Sequence, residues 1–238
     1  MKDTRVLGRC FTLLCVLIMC CVALSSFGQI YVEDDFEDAA KSENIWEIIT
    51  GEWQVADGVF HQLAQGDAWL VAMIAPDKWD DGWTEYTVEV SGTQLEAGDH
   101  PLQILFRVQD PVPLVWADRT APQTHFYRWI INGWTNTLCR PYIYNAGTST
   151  MLAEAPLVLE IGQFYHFKLE VTKTGFKGYV DDVEMFDVEN SEWIDGRVGL
   201  QSFSGMADFD DFIVYGPSGT AVEPQNKLAV TWAAVKAE

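Results

Sequence analysis

The sequence predicts an all-β protein, either a sandwich or a barrel of antiparallel strands. Three segments alternate apolar and polar residues with a period of two, which is typical of antiparallel strands with one buried face. These segments are YTVEVSG at 86–92, PLQILFRVQD at 101–110 and QFYHFKLEVT at 163–172. Turn-forming pairs such as Asp57-Gly58 and Asp195-Gly196 punctuate the chain, and helical periodicity is scarce.

The alternation also predicts which side chains face the core. Tyr86, Val88 and Val90 share one face of the first segment, and in the second segment an apolar set opposes a mixed set. The apolar set is Leu102, Ile104, Phe106 and Val108, and the opposing set is Gln103, Leu105, Arg107 and Gln109. Further along, GYVDDVEMFDV predicts a hairpin with Asp181 and Asp182 at its tip.

The first 28 residues predict a secretory signal peptide. Lys2, Arg5 and Arg9 form a basic region, and the apolar run CFTLLCVLIMCCVAL follows it before a few small residues. We expect cleavage after Gly28, with Ser25 as the alternative position and an uncleaved membrane anchor as the alternative role. The mature protein is therefore expected to be secreted, either outside the cell or into the periplasm.

Removal of this segment leaves an acidic chain with one cysteine. The segment carries three basic groups and one acidic group, so the formal net charge of −20 becomes −22. Four of the five cysteines leave with it and only Cys139 stays, so no internal disulfide is expected. Such a surface is poorly suited to nucleic acid or to anionic membrane, and we expect no membrane contact beyond the signal segment.

The rest of the chain divides into one domain and a tail. No linker rich in Pro, Gly or Ser interrupts residues 30–216, so residues 29–217 are expected to fold as a single domain. Residues 218–238 begin as a linker and end in a short amphipathic helix that places Leu228, Trp232 and Val235 on one face. This helix either docks loosely on the domain or serves as a sorting or partner-binding tail.

Six segments follow one another in an order known from a family of β-sandwich domains. They are DDFED (34–38), TGEWQVADGVFHQ (50–62), ILFRVQDP (104–111), HFYRWIING (125–133), FYHFKLEVTKTGFKGYVDDVEMFDV (164–188) and GRVGLQSFSGMADFDDFIVYG (196–216). Together they resemble the concanavalin A-like lectin and glucanase superfamily, which includes laminin-G-like domains, laminarinase-type glucanases and keto-disaccharide hydrolase-like domains of exported bacterial proteins. The resemblance spans Ile30 to Gly216 and implies a two-sheet antiparallel jelly-roll β-sandwich. It implies no single function, because this fold hosts lectins, glycosidases, adhesion modules and structural domains.

Acidic residues cluster at both ends of this domain. The first group is Glu33, Asp34, Asp35, Glu37 and Asp38, and the second is Asp208, Asp210 and Asp211. The resemblance implies that the first and last strands are neighbours, where facing carboxylates destabilise each other. Laminarinase-type relatives carry a structural calcium at this junction, and the match implies that Asp35 and Asp210 are its ligands. Asp211 is a third candidate, although relatives have a packing residue there, and the alternative is that the acids are solvated strand ends.

The middle of the chain is rich in aromatic and basic residues, which predicts a sugar-binding face. Sugar rings stack on aromatic side chains, and sugar hydroxyls bond to guanidinium and amide groups. The candidate ligand-binding residues are Arg107, Gln109, His125, Tyr127, Arg128, Trp129, Trp134, Tyr142 and Tyr144. Arg107 and Gln109 are expected on the concave face of the jelly roll, whereas the outward face of the next strand stays open. The alternative is a set of core aromatics with solvated arginines.

Catalytic motifs are scarce. Laminarinase-type hydrolysis needs carboxylates on one strand face, but the nearest run, Glu184 to Glu189, has the spacing E-x-x-D-x-E. This spacing predicts Glu184 and Asp187 on opposite faces, which argues against that mechanism. The sequence therefore favours an exported carbohydrate-binding module whose partner is a glycan or polysaccharide. The alternatives are a keto-disaccharide-type glycoside hydrolase, implied by the resemblance alone, and a structural or adhesive protein-binding module.

Overall fold

The computed structural model describes residues 29–65, 69–96, 102–109, 125–133, 137–203 and 205–217. The predicted signal peptide (1–28), Trp134 and the predicted tail (218–238) lie outside the described residues. Within the described part of the chain, no helix is long and apolar enough to cross a membrane.

Strands dominate the described chain. One helix, α1 (Ala39–Ile45), and one 3-10 turn, Pro76–Lys78, interrupt them. The strands are β1 (Ile30–Asp34), β2 (Trp46–Ile48), β3 (Trp53–Ala56), β4 (Val59–Gln62), β5 (Trp69–Ile74), β6 (Tyr86–Gln94), β7 (Gln103–Val108), β8 (His125–Gly133), β9 (Leu138–Asn145), β10 (Thr148–Met151), β11 (Ala155–Pro156), β12 (Tyr165–Thr172), β13 (Gly175–Val180), β14 (Val183–Glu189), β15 (Arg197–Phe203) and β16 (Ala207–Tyr215).

The strands form two antiparallel sheets. Sheet 1 has the order β14-β13-β12-β6-β16-β4-β3, and β1 also pairs with β16. Sheet 2 has the order β10-β9-β8-β7-β15-β5-β2, and β11 also pairs with β9. Several neighbours, such as β6 and β16, are far apart in sequence. The predicted two-sheet antiparallel jelly-roll β-sandwich is confirmed.

The main core lies between the two sheets and follows the predicted alternation on the central strands. Tyr86, Val88 and Val90 of β6 are buried, and so are Phe167 and Leu169 of β12. Burying one large apolar side chain contributes about 1.5–3 kcal/mol. The one cysteine in the described part of the domain is free and buried, so it forms no disulfide there. Burial of apolar side chains in this core therefore stabilises the described domain.

The predicted hairpin is confirmed. Asp181 and Asp182 join β13 to β14, and their φ angles of 46° and 64° lie in the left-handed region. A two-residue turn between antiparallel strands favours these angles, because its twist then matches that of the strands. Aspartate adopts them more readily than most residues.

The last strand, β16, is paired along both edges. β6 borders one edge, while β4 pairs with residues 207–209 and β1 with residues 212–215 on the other edge. A β-bulge interrupts the pairing with β6 between Asp210 and Ile213, and Asp211 adopts a φ of 50°. The change of partner strand therefore coincides with the second acidic group.

A buried carboxylate links three strands on the outward face of sheet 1. Glu89 of β6 is 7% exposed, accepts a hydrogen bond from the Tyr215 hydroxyl of β16, and lies 2.9 Å from Nε2 of His166 on β12. Burial opposes the ionisation of Glu89, but the hydrogen bonds from His166 and Tyr215 outweigh it and lower its pKa. The hydrogen bond to Glu89 raises the pKa of His166 against the opposing effect of burial.

We predict that His166→Gln lowers stability most in mildly acidic solution. The pKa of His166 is raised by folding, so its contribution is complete below its ordinary value of 6.5 and is lost as the pH rises through the folded value. The pKa of Glu89 is lowered, so its contribution is present above 4.5 and is lost as the pH falls through the folded value. Thermal unfolding at a series of pH values should therefore show the largest loss between pH 4.5 and 6.5.

The matched control is Lys173→Gln, which removes an exposed cation paired with Glu85 at 3.1 Å. Its effect on the melting temperature should not vary over the same pH range. A loss for His166→Gln that is as large at pH 9 as in the acidic window would contradict the assigned ion pair.

Candidate functional site

The face of sheet 2 that points away from sheet 1 carries a second apolar cluster. Its buried members come from four strands, and partly buried residues surround them. They are Trp69, Val71, Met73, Leu105, Val108, Phe126 and Tyr144, with Ile49, Tyr142 and Phe203 at the edge. We call this group, together with Arg128 and Gln201 on the same face, the outer-face cluster. The described residues form no third sheet over it.

Arg128 of β8 lies at the centre of the outer-face cluster. Its guanidinium carbon lies 5.3 Å from the ring centroid of Trp69, 4.8 Å from that of Tyr144 and 6.0 Å from that of Tyr142. Its Nη2 also donates a hydrogen bond to the Tyr144 hydroxyl. A guanidinium over aromatic faces is attracted by the ring quadrupoles, and more strongly where water is excluded. Arg128 is 3% exposed, so the cluster holds a cation away from solvent.

Gln201 of β15 adds an amide with unused hydrogen-bonding capacity. It pairs with Val71 of β5 and with Gln103 of β7, so its side chain lies within the outer-face cluster. It is fully buried, and neither its amide nitrogen nor its amide oxygen has a hydrogen-bond partner. A buried polar group without a partner costs about 1–3 kcal/mol. A ligand or water molecule that reaches this amide therefore gains a donor and an acceptor together.

Three of the candidate ligand-binding residues belong to the outer-face cluster: Arg128, Tyr142 and Tyr144. Tyr142 is half-buried and lies at the accessible edge, whereas Tyr144 stacks on Phe126 with ring centroids 4.4 Å apart. The sequence did not show which side chains of β8 point away from the core. In the structure, Phe126 and Arg128 do so. Trp134 lies outside the described residues.

The expected position of Arg107 on the concave face is wrong. The register of β7 against β15 shifts here, and Arg107 adopts a φ of 49°. Its side chain is fully buried, and its Nη2 donates to the carbonyl oxygens of Thr84 and Thr172, at 3.3 and 2.6 Å. Val108 consequently lies in the outer-face cluster, although the alternation predicted it in the main core. The position of Arg107 suits a link between the sheets rather than a contact with ligand.

His125, Tyr127 and Trp129 point to the other side of β8. Tyr127 and Trp129 are fully buried in the main core, and Trp129 Nε1 donates to Cys139 Sγ at 2.9 Å. Burial raises the pKa of the Cys139 thiol to about 12, which leaves it unreactive at neutral pH. The ring of His125 packs on that of Trp193, with centroids 4.4 Å apart. Here the alternative interpretation, core aromatics, describes the structure better.

Gln109 lies in a groove at one end of the sandwich, which we call the end groove. It encloses about 370 Å³, and its lining includes Trp79, Asp81, Gln109, Asp195, Gly196 and Arg197. Gln109 Nε2 donates to the backbone oxygen of Asp195 at 2.7 Å and to its carboxylate at 3.0 Å. Gln109 is therefore separated from the other candidate ligand-binding residues by the register shift at Arg107.

Glu184 and Asp187 lie on one face of β14, contrary to the prediction. Nζ of Lys177 is 2.6 Å from the carboxylate of Asp187 and 4.0 Å from that of Glu184. A β-bulge between Gly178 and Tyr179 shifts the register and breaks the simple alternation. β14 is an edge strand of sheet 1 and both carboxylates are exposed, so they form a solvated ion-pair group rather than a cleft.

Two acids near the junction of β1 and β16 have structural roles. Asp34 is 1% exposed, and its carboxylate accepts hydrogen bonds from Phe36 N at 3.1 Å and from Trp46 Nε1 at 3.0 Å. Asp38 caps α1 by accepting hydrogen bonds from the backbone nitrogens of its first turn. Such a cap contributes about 0.5–2 kcal/mol relative to alanine. Neither carboxylate needs a metal to explain its position.

Three further carboxylates lie at this junction, those of Asp35, Asp210 and Asp211. Burial, and then the neighbouring carboxylate of Asp211, raises the pKa of Asp210 to about 7. Burial and Asp35 raise the pKa of Asp211, whose Oδ2 is buried without a hydrogen-bond partner. The described residues nevertheless contain no group of three or more His, Cys, Asp or Glu side chains already arranged to hold a metal ion.

Sequence reasoning missed Gln201 and Phe203. A signal was present, because GRVGLQSF alternates Gly199, Gln201 and Phe203 against Val198 and Leu200. Trp69 gave no comparable signal, since its strand WLVAMI is apolar at every position and buried on both faces. A strand of that kind does not reveal which of its faces meets the second sheet.

Comparisons with known proteins agree with this architecture. No protein-family model matches the sequence, and no curated protein matches it. Among solved structures, the carbohydrate-binding module CBM66 from Bacillus subtilis aligns with a TM-score of 0.59 at 17% identity, over 73% of this chain and 96% of the module. The fold is that of the concanavalin A-like jelly rolls.

Two further solved structures share this jelly roll. A Bacillus subtilis protein of unknown function with a galectin-like fold aligns with a TM-score of 0.61 at 13% identity, over 80% of this chain and 97% of that one. LamAcat from Zobellia galactanivorans aligns with a TM-score of 0.53 at 15% identity, over 80% and 99%. At these identities the likeness establishes the fold. The implied contact between first and last strands is confirmed, because β1 pairs with β16.

Proposed function

We propose that this protein is an exported carbohydrate-binding module that holds a glycan against the outer-face cluster. The observation that carries the proposal is the buried guanidinium of Arg128 among three aromatic rings, beside the unpartnered amide of Gln201. Aromatic faces bind the C–H faces of sugar rings, and guanidinium and amide groups bind their hydroxyls. The fold shared with a carbohydrate-binding module is consistent with this function, although the fold alone does not decide it.

The edge of the cluster supplies the surface that a glycan meets first. Tyr142 and Phe203 are partly buried and border the cluster on β9 and β15. Arg140, two residues before Tyr142 on the same face of β9, forms an ion pair with Glu154 at 2.7 Å. A sugar chain lying along this edge would contact an aromatic ring and a charged pair before reaching Arg128 and Gln201.

Binding is favoured over hydrolysis by the chemistry of the cluster. Glycoside hydrolysis uses two carboxylates on either side of the scissile bond. The groups that define this site are a guanidinium, an amide and aromatic rings. The carboxylate at its edge, that of Glu154, is paired with Arg140 at 2.7 Å. This chemistry suits the binding of hydroxyl groups better than the cleavage that the keto-disaccharide hydrolase alternative requires.

We predict that Gln201→Leu separates binding from stability. Leucine nearly preserves the volume and removes a buried amide without partners, so the free energy of unfolding should stay unchanged or rise. The same change removes the donor and acceptor offered to a sugar, so affinity for the glycan selected on a glycan array should fall about tenfold. Isothermal titration calorimetry and thermal unfolding of the same samples measure the two effects.

The matched control is Gln54→Leu on the exposed edge strand β3, which should leave affinity unchanged. Tyr142→Ala offers a second test, since losing an aromatic contact at the edge should weaken binding by about 1–3 kcal/mol. Unchanged affinity in both Gln201→Leu and Tyr142→Ala would show that the outer-face cluster is only a second core.

We also propose that a calcium ion binds where β1 and β4 meet β16. The residues fit a hard cation, because Asp35, Asp210 and Asp211 offer carboxylate oxygens and Asp211 Oδ2 is buried without a partner. Since no three-carboxylate site stands ready-made among the described residues, the ion would draw its other ligands from backbone carbonyls and water. Burial, and then the neighbouring carboxylate of Asp211, raises the pKa of Asp210, and a bound calcium ion would offset both effects.

We predict opposite effects of Asp210→Asn with and without a bound metal. If calcium binds, EDTA should remove about 2.7 kcal/mol of stabilisation, the value at a hundredfold excess of metal over Kd. That corresponds to a fall in melting temperature of roughly 5–10 °C for a domain of this size. Asp210→Asn should then melt at the lower temperature with or without calcium.

The result differs if the acids merely repel one another. Asp210→Asn should then raise the melting temperature, and EDTA should have no effect on the unaltered protein. Asp187→Asn, which removes a carboxylate from the exposed edge strand, is the matched control and should not change the response to calcium.

A further inference from the structure

The side-chain amide of Gln201 has both of its polar atoms unused. Gln201 is fully buried, and neither Nε2 nor Oε1 has a hydrogen-bond partner. Buried polar atoms in folded proteins are almost always paired, so an exception needs a physical explanation. A ligand that offers an acceptor and a donor side by side would satisfy both atoms of this amide.

The surroundings of the amide are largely apolar. Val71 of β5 lies directly across from Gln201, and Leu105 of β7 lies diagonally across from it. The polar neighbour is Gln103 of β7, which is itself fully buried. A group that enters this place loses its contacts with water, so each polar atom that it brings must find a partner there. The place therefore favours a ligand whose polar atoms match the amide in number and position.

A place without a side chain adjoins the amide. Gly199 lies two residues before Gln201 on the same face of β15. Met73 of β5 covers it, since a Cβ added at Gly199 would lie 2.4 Å from Met73 Sδ. A methionine side chain is unbranched and changes its shape more readily than a branched one. A shift of Met73 is therefore the readiest way to open space for a ligand beside Gln201.

We infer that Gln201 binds a pair of neighbouring hydroxyl groups, so that the outer-face cluster selects glycans whose internal units keep such a pair free. An amide carries its donor nitrogen and its acceptor oxygen on one carbon. Nε2 can therefore donate to one hydroxyl oxygen while Oε1 accepts from the hydroxyl next to it. The inference rests on glycan binding at this face, which is the proposed function, and adds the class of glycan.

The linkage of a glycan decides whether its internal units carry such a pair. In a 1,4-linked pyranose chain, the neighbouring hydroxyls on carbons 2 and 3 both stay free. In a 1,3-linked chain, oxygen 3 forms the linkage, and the free hydroxyls on carbons 2 and 4 are not neighbours. One atom of the amide would then stay unpaired in an apolar place, which is unfavourable. A site that bonds two hydroxyls therefore discriminates against a chain that offers one.

The test compares polysaccharides that share one sugar and differ in linkage. Glucans, galactans, mannans and xylans, each in 1,4-linked and 1,3-linked form, are screened against the protein by affinity electrophoresis. Titration calorimetry then measures oligosaccharides of equal length from the pair that contains the tightest ligand. The 1,4-linked member should bind at least about tenfold more tightly, because it alone pairs both atoms of the buried amide. A tightest ligand that is 1,3-linked would overturn the inference.

Gln201→Leu tests whether this residue is responsible for the selection. The preference for the 1,4-linked chain should fall to within about twofold, because leucine bonds to neither chain. Leucine leaves no polar atom unpaired, so the variant should fold, and Gln201→Met repeats the test with an unbranched side chain. A preference that survives both substitutions would show that the selection arises elsewhere.

Tyr142→Ala is the matched control on the same face. An aromatic ring stacks on sugars of either linkage, so this variant should weaken both chains equally and leave the preference unchanged. Binding that Tyr142→Ala weakens but that ignores linkage would overturn the inference and leave the proposed function standing. Failure of every polysaccharide to bind would overturn both.

Discussion

The pairing of β16 along both of its edges is the constraint on which much of this structure depends. β6 borders one edge, while β4 and then β1 share the other. The strand thereby joins both ends of the domain to the middle of sheet 1, and Phe209, Phe212 and Val214 reach the main core from it. This pairing also brings carboxylates close together. The β-bulge at the change of partner strand places Asp210 and Asp211 beside the end of β1. An acidic junction in an otherwise well-packed sheet follows from the topology.

A second irregularity separates the two candidate sites. The register shift at Arg107 turns a guanidinium inward, where it donates to the backbone carbonyl of Thr172 in sheet 1, and turns Val108 outward. Gln109 then lies in the end groove, while Arg128 and Tyr142 lie in the outer-face cluster. Strict alternation along β7 would have placed Arg107 and Gln109 together on one face. One extra residue in one strand therefore divides what the sequence presented as a single group.

The sequence was a good guide wherever strands are regular. β6 and β12 alternate as predicted, and the Asp181-Asp182 turn follows from local preferences alone. It failed at Arg107 and at Glu184, because a bulge depends on pairing with a distant strand and leaves no local pattern. The site itself was half predictable. Arg128 and Tyr142 were named from composition, whereas Gln201 matters only because a distant strand brings it to the same face.

The two faces of sheet 2 explain why aromatic content alone was ambiguous. One face packs Tyr127 and Trp129 into the main core, and the other surrounds Arg128 with rings. The second arrangement retains a desolvated cation and an unpartnered amide, which a purely structural cluster would replace with apolar groups at no cost in stability. An unpartnered amide such as that of Gln201 is expected where a polar ligand completes its bonding.

The most direct test of glycan binding at this face is a map of chemical-shift changes. The ¹H–¹⁵N spectrum of the labelled protein would be followed during titration with the neutral oligosaccharide that binds best on a glycan array. If a glycan binds the outer-face cluster, the largest changes should fall on Arg128, Tyr142 and the side-chain amide of Gln201. Changes confined to the outward face of sheet 1, around Glu89 and His166, would contradict it.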